Sequence, residues 1–351
     1  MKDDILIEAL EAELLDSPEV PAVEVPRGLV YVTDAMPGIR RMRRGKGFSY
    51  LAPDGTTIER GPERERLEKL GVPPAYENVW MCPLPHGHLQ ATGFDVRERK
   101  QYRYHALWSE HRSGNKFDRL VEFAHCLPAI RDRVARDLRA APGEARFALA
   151  AAVTLIDRLS LRVGNEEYAR ENGSFGALTL RNKHVKLREG EIRLDFKAKS
   201  GQRVRRQLKD RRLLRILEKA SDLPGAELLT WVDRMGQAHT LSSTQLNAYL
   251  DEADGDEELA FTAKTFRTWA GTLAAYERVE QGDRPKIKDL ALAASERLHN
   301  TPAVAKSAYI HPRVLALAGE DAPALGAPEP IPGLSVPERR LLAFLESPVI
   351  G

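Results

Sequence analysis

The chain has 351 residues, enough for two domains of ordinary size with hydrophobic cores. Its hydrophobic content of 42% is typical of a folded protein, and no apolar run is long enough to span a membrane. The N-terminus lacks the basic segment and the apolar segment of a signal peptide. The two cysteines, Cys82 and Cys126, form no CxxC pair, so we expect a reducing, cytoplasmic setting.

The net charge of +2 hides an uneven distribution of charge along the chain. Residues 1–26 contain eight acidic residues and one lysine, which leaves 52 basic and 43 acidic residues in the remainder. Much of the positive charge lies in three clusters. They are Arg40, Arg41, Arg43, Arg44 and Lys46; Arg97, Arg99, Lys100 and Arg103; and Arg203, Arg205, Arg206, Lys209, Arg211 and Arg212. One such cluster is commonly a solvated surface, but three of them favour a polyanionic partner such as nucleic acid.

The N-terminal third is predicted to contain a tail and a small β-rich domain. Residues 1–27 form an acidic tail or linker, because a short amphipathic stretch is followed by several prolines. Residues 28–112 carry short strand-like segments separated by turn residues, which indicate a β-rich domain. The segments are LVYVTD, GFSYLAPDGTTIE, NVWMCPLP and LQATGFD. A charged helix over 95–112 is expected to close this domain.

Residues 113–351 are predicted to be mainly helical, with a short antiparallel sheet. Apolar residues at helical spacing over 147–164 predict a helix with Arg162 in its last turn before a glycine. The strands GALTL and HVKL are expected next, and the hairpin of IRLDFKAK and RVRRQL follows them. Further helices are predicted at 206–220, 242–252, 262–281, 288–299 and 303–310, with a loop at 320–336. The fold class is therefore α+β.

The hairpin carries lysines on its polar face. Period-2 alternation places Lys197 and Lys199 on the face opposite Ile192, Leu194 and Phe196. Lys199 lies at the predicted tip, where a lysine can reach a phosphate or a leaving oxygen. Taken alone, this segment favours an ordinary exposed lysine at a hairpin tip.

The segment TAKTFRTWAG predicts the start of a helix, with Thr262 as its N-cap. Lys264 and Arg267 are three residues apart and share one side, while Phe266 and Trp269 can anchor the other. An arginine fixed in this way presents a planar fork that fits two phosphate oxygens.

The segment LHNTPAVAKSAYIHP predicts a short helix that carries Tyr309. Thr301 and Pro302 fit an N-cap and a first helical position, so Asn300 lies just outside the helix, and Pro312 ends it. A tyrosine on a helix is most often a core residue. No single segment establishes a function.

Together, five residues in chain order resemble the catalytic set of the type IB DNA topoisomerases, in particular their small viral and bacterial form. They are Arg162, Lys199, Lys264, Arg267 and Tyr309. The motifs that carry the resemblance are LRVGNEEYARENGSFGALTLRNKHV, FKAKSG, KTFRTW and HNTPAVAKSAYIHP. The resemblance covers residues 28–315 and is densest over 155–312. In the N-terminal part it depends mainly on RKQYRYH at 99–105.

The resemblance implies a role for each member of this set. Tyr309 would attack a backbone phosphate, form a 3′-phosphotyrosyl bond and release a 5′-hydroxyl. Lys199 would be the general acid, and its choice over Lys197 depends on the resemblance alone. Arg162 and Arg267 would hold the non-bridging oxygens, with Lys264 in support.

The family resemblance also implies the architecture and the partners. The two domains would form a C-shaped clamp, and a monomer would encircle double-stranded DNA in the cytoplasm, associated with the nucleoid. No metal ion is expected, because arginines supply the positive charge. No nucleotide cofactor is expected either, because the phosphotyrosyl bond stores the bond energy until resealing, and the sequence has no Walker-type glycine loop.

One position departs from the family pattern. The residue nine positions before the nucleophile is commonly histidine, and here it is Asn300. An amide can donate a hydrogen bond to phosphate but cannot carry charge. His299 is adjacent, but a shift of one residue turns a side chain by about 100° around a helix, so Asn300 is preferred.

The small domain offers candidate DNA contacts within RKQYRYH. By resemblance these are Gln101, Tyr102 and Tyr104, with Arg99 and Lys100 on phosphates, and Tyr168 from the larger domain. The alternative for RKQYRYH is an amphipathic surface helix.

Two other functions are compatible with parts of this pattern. A tyrosine recombinase shares the nucleophile, the arginines and the lysine, but it usually carries His-x-x-Arg where this chain has Lys264-x-x-Arg267. A non-catalytic DNA-binding protein is supported only by Asn300.

Overall fold

The computed structural model of the chain describes residues 25–254, 261–324, 326 and 328–348. Most of the predicted acidic tail, residues 1–27, lies outside the described residues. The chain divides into two compact units, Met1–Asn115 and Lys116–Gly351. No described helix is long and apolar enough to cross a membrane.

The first unit is built on a five-stranded antiparallel sheet with the order β2-β1-β3-β4-β5. The strands are β1 (Ile39–Arg44), β2 (Gly47–Leu51), β3 (Glu77–Met81), β4 (Leu89–Phe94) and β5 (Lys100–Tyr104). The helices are α1 (Pro62–Lys69) and α2 (Ala106–Asp118), which begins in this unit. Two small apolar clusters pack beside the sheet, one around Tyr50 and Met81 and the other around Cys82 and Leu84.

Two predictions for this unit were wrong. LVYVTD forms no strand and contributes only a bridge between Val30 and Gly87. The predicted helix over 95–112 begins only at Ala106, because residues Lys100–Tyr104 pair with β4 as a strand at the sheet edge. The tyrosines and charges of RKQYRYH alternate with a period of two residues, which is the period of a strand and not of a helix. The first basic cluster, which was not assigned to an element, forms β1.

The second unit has one continuous core between its helices and a three-stranded antiparallel sheet, β6-β7-β8. The strands are β6 (Val185–Arg188), β7 (Glu191–Lys197), β8 (Arg203–Leu208), β9 (Trp231–Val232) and β10 (Ala238–His239). The helices are α3 (Leu120–Asp137), α4 (Ala145–Leu159), α5 (Glu166–Asn172), α6 (Arg211–Ser221), α7 (Ser243–Asp254), α8 (Ala263–Val279), α9 (Ile287–Leu298), α10 (Pro302–Tyr309), α11 (Pro312–Leu315) and α12 (Val336–Glu346).

The helix predicted over 147–164 ends at Leu159, so its predicted end was wrong. Ser160 adopts the left-handed conformation, with φ of 53°, and terminates α4. The next residues are extended, and the carbonyls of Arg162 and Val163 accept hydrogen bonds from residues 177 and 178. The predicted strand GALTL is a turn instead, since its apolar residues are buried without a strand partner among the described residues.

The final helix, α12, was not predicted, although its start carries a capping sequence. The Ser335 backbone N–H and hydroxyl both donate to Glu338 Oε2 at 2.8 Å. The other oxygen of Glu338 accepts from Arg131 at 2.8 Å and from the indole of Trp269 at 3.3 Å. Arg131 also donates to Asp157 at 2.9 Å, so this buried network ties α12 to α3, α4 and α8.

We expect Glu338→Gln to lower the free energy of unfolding by about 1–3 kcal/mol at neutral pH. Burial raises the pKa of Glu338, but the hydrogen bonds and charge of Arg131 outweigh it and bring the pKa below its ordinary 4.5. A carboxyl with a pKa lowered by folding stabilises the protein above its unfolded pKa, and this contribution is lost as the pH falls through the folded pKa. The free energies of unfolding of wild type and variant, measured with urea, should therefore converge as the pH falls through the folded pKa of Glu338. A difference between these two free energies that stays constant with pH would contradict a stabilising role of the ionised Glu338 carboxylate.

Candidate active site

One cavity of the second unit brings together five of the residues singled out by the sequence. Its volume is about 340 Å³. The predicted residues that line it are Arg162, Lys199, Lys264, Arg267 and Tyr309. They come from a loop, a hairpin tip and two helices that are far apart in the sequence, so the fold concentrates positive charge around one phenol.

Arg267 is held by the C-terminal ends of two helices. Its side chain is only 3% exposed, and its Nη1 and Nη2 donate to the carbonyls of Ser160 and Leu298. These carbonyls belong to the ends of α4 and α9, where the helix dipole is negative and stabilises a buried cation. Burial, followed by the charge of Arg162, lowers the pKa of Arg267 to about 10, so it is still protonated at neutral pH.

Two of the five N–H groups of Arg267 donate to these carbonyls, which leaves three for other partners. Its Nε is buried and finds no hydrogen-bond partner within the described part of the chain. The guanidinium carbon lies 5.2 Å from the ring centroid of Tyr309, and its charge lowers the pKa of the phenol. Arg267 therefore retains N–H donors beside the Tyr309 phenol.

Arg162 lies in the loop after α4, and close backbone packing fixes this loop. A Cβ atom added to Gly176 would lie 2.5 Å from the Arg162 carbonyl oxygen and 2.7 Å from the Gly164 Cα. Gly164 itself has φ of 91°, which favours glycine. Arg162 is thus positioned by two glycines rather than by a helix, which corrects the sequence prediction.

The structure separates the two lysines of the hairpin. β7 buries Ile192, Leu194 and Phe196 as the alternation predicts. The ammonium of Lys197 donates to the carbonyl of Asn172 at 3.3 Å. Lys199, at the exposed tip, lines the cavity instead.

Tyr309 is the last residue of α10 and is 7% exposed. As predicted, Thr301 caps the helix by accepting from the backbone N–H of Val304, and Pro302 follows it. Burial would raise the pKa of the Tyr309 phenol, but the charges of Arg267, Arg162 and Lys264 bring the pKa below its ordinary value. A phenol with a lowered pKa is a better nucleophile near neutral pH.

Asn300 does not line the cavity, although it lies at the junction of α9 and α10. Its backbone N–H donates to the Ser295 carbonyl at 3.2 Å. Both polar atoms of its side chain are buried, and neither has a hydrogen-bond partner among the described residues. The adjacent His299 caps α9 in the left-handed conformation and points elsewhere, toward Arg206.

Comparison with known proteins places this geometry in a family. The family model described as eukaryotic DNA topoisomerase I, catalytic core, matches residues 105–308. A second model, bacterial DNA topoisomerase IB, N-terminal domain, matches residues 47–95. The chain is also 31% identical to the DNA topoisomerase 1B of Acanthamoeba polyphaga mimivirus, over 78% of this chain and 85% of that protein. The chain belongs to the type IB DNA topoisomerases.

Poxviral members of the family are more distant from this topoisomerase. The DNA topoisomerase I of monkeypox virus and the DNA topoisomerase 1B of vaccinia virus are each 25% identical to it. Each match covers 39% of this chain and 45% of the viral protein. The catalytic-core match ends one residue before Tyr309, so the role of this tyrosine rests on the residues and geometry described above.

The candidate DNA contacts of the topoisomerase's first unit lie on and beside the edge strand β5. Tyr102 and Tyr104 are 48% and 46% exposed and stack with ring centroids 6.1 Å apart. The carboxylate of Asp95 accepts from Arg99 at 2.5 Å and from the Gln101 amide at 3.0 Å. The ammonium of Lys100 lies 2.5 Å from a carboxylate oxygen of Asp34. The remaining candidate, Tyr168, has a side chain outside the described residues.

Two features of the site were not predicted from the sequence. The carbonyls of Ser160 and Leu298, which hold Arg267, are backbone groups that no side-chain pattern reveals. The contact between Gly164 and Gly176 was also missed, although two glycines flanking the GNEEYARENGSFG segment are a visible signal for close backbone approach.

Gly271 allows Tyr309 to approach α8, and we expect Gly271→Ala to disturb the nucleophile. An added Cβ would lie 2.7 Å from the Tyr309 carbonyl oxygen and 2.8 Å from Leu298, so α10 must shift. Overpacking of this kind costs about 1–3 kcal/mol of stability. A displacement of about 1 Å can slow a reaction about a hundredfold. The measurement is covalent adduct formation on DNA in a single turnover. Gly282→Ala is the control for a general loss of stability, because φ of 78° makes alanine unfavourable there while the added Cβ has no atom within 4 Å.

Proposed function

We propose that the chain relaxes supercoiled DNA by cutting and resealing one strand through a transient bond to Tyr309. The observation that carries this proposal is the cavity in which Arg162, Lys199, Lys264 and Arg267 surround that phenol. Four positive groups in one cavity with a tyrosine fit a phosphodiester better than any neutral substrate.

In the proposed cleavage step, the phenol oxygen of Tyr309 attacks phosphorus, and the bond from phosphorus to the 5′ oxygen breaks. The phenol proton leaves to solvent, and the ammonium of Lys199 donates a proton to the departing 5′ oxygen. Resealing reverses both transfers, with neutral Lys199 accepting the proton of the 5′-hydroxyl. The phosphotyrosyl bond conserves the energy of the original bond between these steps.

Arg162 and Arg267 stabilise the charge that builds on the non-bridging oxygens in the transition state. Lys264 adds a further positive charge at the exposed side of the cavity. The Asn300 amide, whose polar atoms are buried without partners among the described residues, can donate to a phosphate oxygen once DNA is bound. These side chains supply the charge that a metal ion supplies in other phosphoryl transfers, so we expect no metal requirement. We expect no ATP requirement because the phosphotyrosyl bond conserves the bond energy.

DNA binding is proposed to involve both parts of the chain. Residues 28–112 would form a DNA-binding domain, and residues 113–351 the catalytic domain of a C-shaped clamp around the duplex. The exposed tyrosines of β5 can contact bases, while Arg99 and Lys100 must exchange their carboxylate partners for phosphates. Binding by a monomer should weaken steeply with salt, because phosphate contacts release counterions.

A plasmid assay tests the proposal. Purified protein is incubated with a supercoiled plasmid in a chelator and without ATP, and the distribution of topoisomers is followed by gel electrophoresis. We expect stepwise relaxation that needs no special sequence. A recombinase would require defined sites and an assembled tetramer, and a non-catalytic DNA-binding protein would leave the plasmid supercoiled. The absence of relaxation would therefore overturn the proposal.

A further inference from the structure

Arg206 is an arginine on the inner face of a strand. In β8, Val204 is buried, and Arg206 lies on the same side two residues later. Its Nε donates to His299 Nε2 at 3.2 Å, and its Nη2 donates to the Glu296 carbonyl at 3.2 Å. Both acceptors belong to the C-terminal end of α9, so Arg206 ties the hairpin to that helix end.

His299 extends this connection to α4. Because arginine is always a donor, Nε2 of His299 must accept, and the ring proton is therefore on Nδ1. The ring also lies close to the backbone of Leu159, the residue before Ser160. Burial, followed by the charges of Arg206 and Arg267, lowers the pKa of His299 to about 4, so the ring is neutral at physiological pH.

Contacts thus run from β8, the second strand of the Lys199 hairpin, to both helix ends that hold Arg267. Ser160 and His299, which terminate these helices, both adopt the left-handed conformation, with φ of 53° and 52°. This conformation is unfavourable for residues other than glycine by about 1–2 kcal/mol. Strained backbone of this kind persists where the surrounding contacts enforce it.

We propose that Arg206 and His299 form a positioning pair that fixes the β7–β8 hairpin, and with it Lys199, against the helix ends that hold Arg267. Neither side chain lines the cavity, so both act through other residues. The inference rests on the proposed function, because it assigns the pair to the step in which Lys199 protonates the leaving oxygen.

The test compares two DNA substrates in single-turnover cleavage. One carries the natural 5′ oxygen at the scissile phosphate, and the other carries sulfur at that bridging position. A thiolate, with a conjugate-acid pKa of about 8.5, leaves without a general acid. We expect Arg206→Ala to slow cleavage of the oxygen substrate about tenfold to a hundredfold. The same variant should cleave the sulfur substrate at nearly the wild-type rate. Lys199→Ala should show the same pattern, more strongly.

Two further variants are controls for a general loss of structure. Arg206→Lys keeps one donor for His299 and should recover most of the rate on the oxygen substrate. Arg205→Ala removes the same charge from the outer face of β8, where Arg205 is 70% exposed, and should leave the ratio of the two rates unchanged. If Arg206→Ala fails to fold, His299→Asn provides the same comparison, since asparagine tolerates the left-handed backbone and is too short to contact both Arg206 and Leu159.

Equal slowing on both substrates would overturn the inference, because the defect would then not act through the general acid. A wild-type rate on the oxygen substrate would overturn it as well. These outcomes differ from failure of the proposed function, in which the wild-type protein itself forms no covalent adduct on either substrate.

Discussion

Tyr309→Phe is expected to abolish the covalent bond between protein and DNA. Phenylalanine keeps the ring that packs at the end of α10 but lacks the oxygen that would attack phosphorus. DNA binding should persist, because the surrounding arginines and lysines are unchanged. The measurement is denaturing electrophoresis of protein mixed with end-labelled DNA, in which the adduct migrates as a slower band.

Tyr249→Phe is a matched control for this substitution. It removes a phenol oxygen from the same unit, but that oxygen donates to Asp137 at 2.8 Å and lies outside the cavity. We expect this variant to lose some stability and to form the adduct at the wild-type yield. If Tyr309→Phe still forms the adduct, another residue is the nucleophile and the assignment of Tyr309 is wrong.

The parts of the site that the sequence predicted are those with a local signal. The N-caps Thr262 and Thr301 and the alternation of β7 each depend on a few neighbouring residues, and the structure confirms them. Apolar runs were less informative. GALTL is as apolar as a strand, yet it is a turn that packs against the loop carrying Arg162.

Long-range backbone contacts explain what the sequence could not show. The fork of Arg267 was expected to face phosphate, but two of its donors go to helix-end carbonyls more than thirty residues away along the chain. A local pattern cannot reveal such partners. The sequence did indicate a buried partner for Arg206. Arg206 shares a strand face with Val204, and a charged residue on an apolar face needs such a partner.

The same geometry predicts that Arg267→Lys is far from conservative. A lysine retains the charge but has one nitrogen, so it cannot hold the carbonyls of Ser160 and Leu298 and also reach the phosphate. We expect cleavage to slow by about a hundredfold to a thousandfold, the usual effect of losing a donor to transition-state charge. Single-turnover cleavage under saturating protein measures this without a contribution from DNA affinity.

Resealing should slow by a similar factor, because cleavage and resealing pass through the same transition state. It is measured by adding a strand with a 5′-hydroxyl to preformed adduct. Arg278→Lys, on the same helix but paired with Asp283 at the surface, is the control and should leave both rates within about twofold of wild type. Near-wild-type rates for Arg267→Lys would mean that charge alone is sufficient. Slow cleavage with normal resealing would instead mean that Arg267 stabilises the transition state and the covalent adduct equally, relative to the complex with uncut DNA.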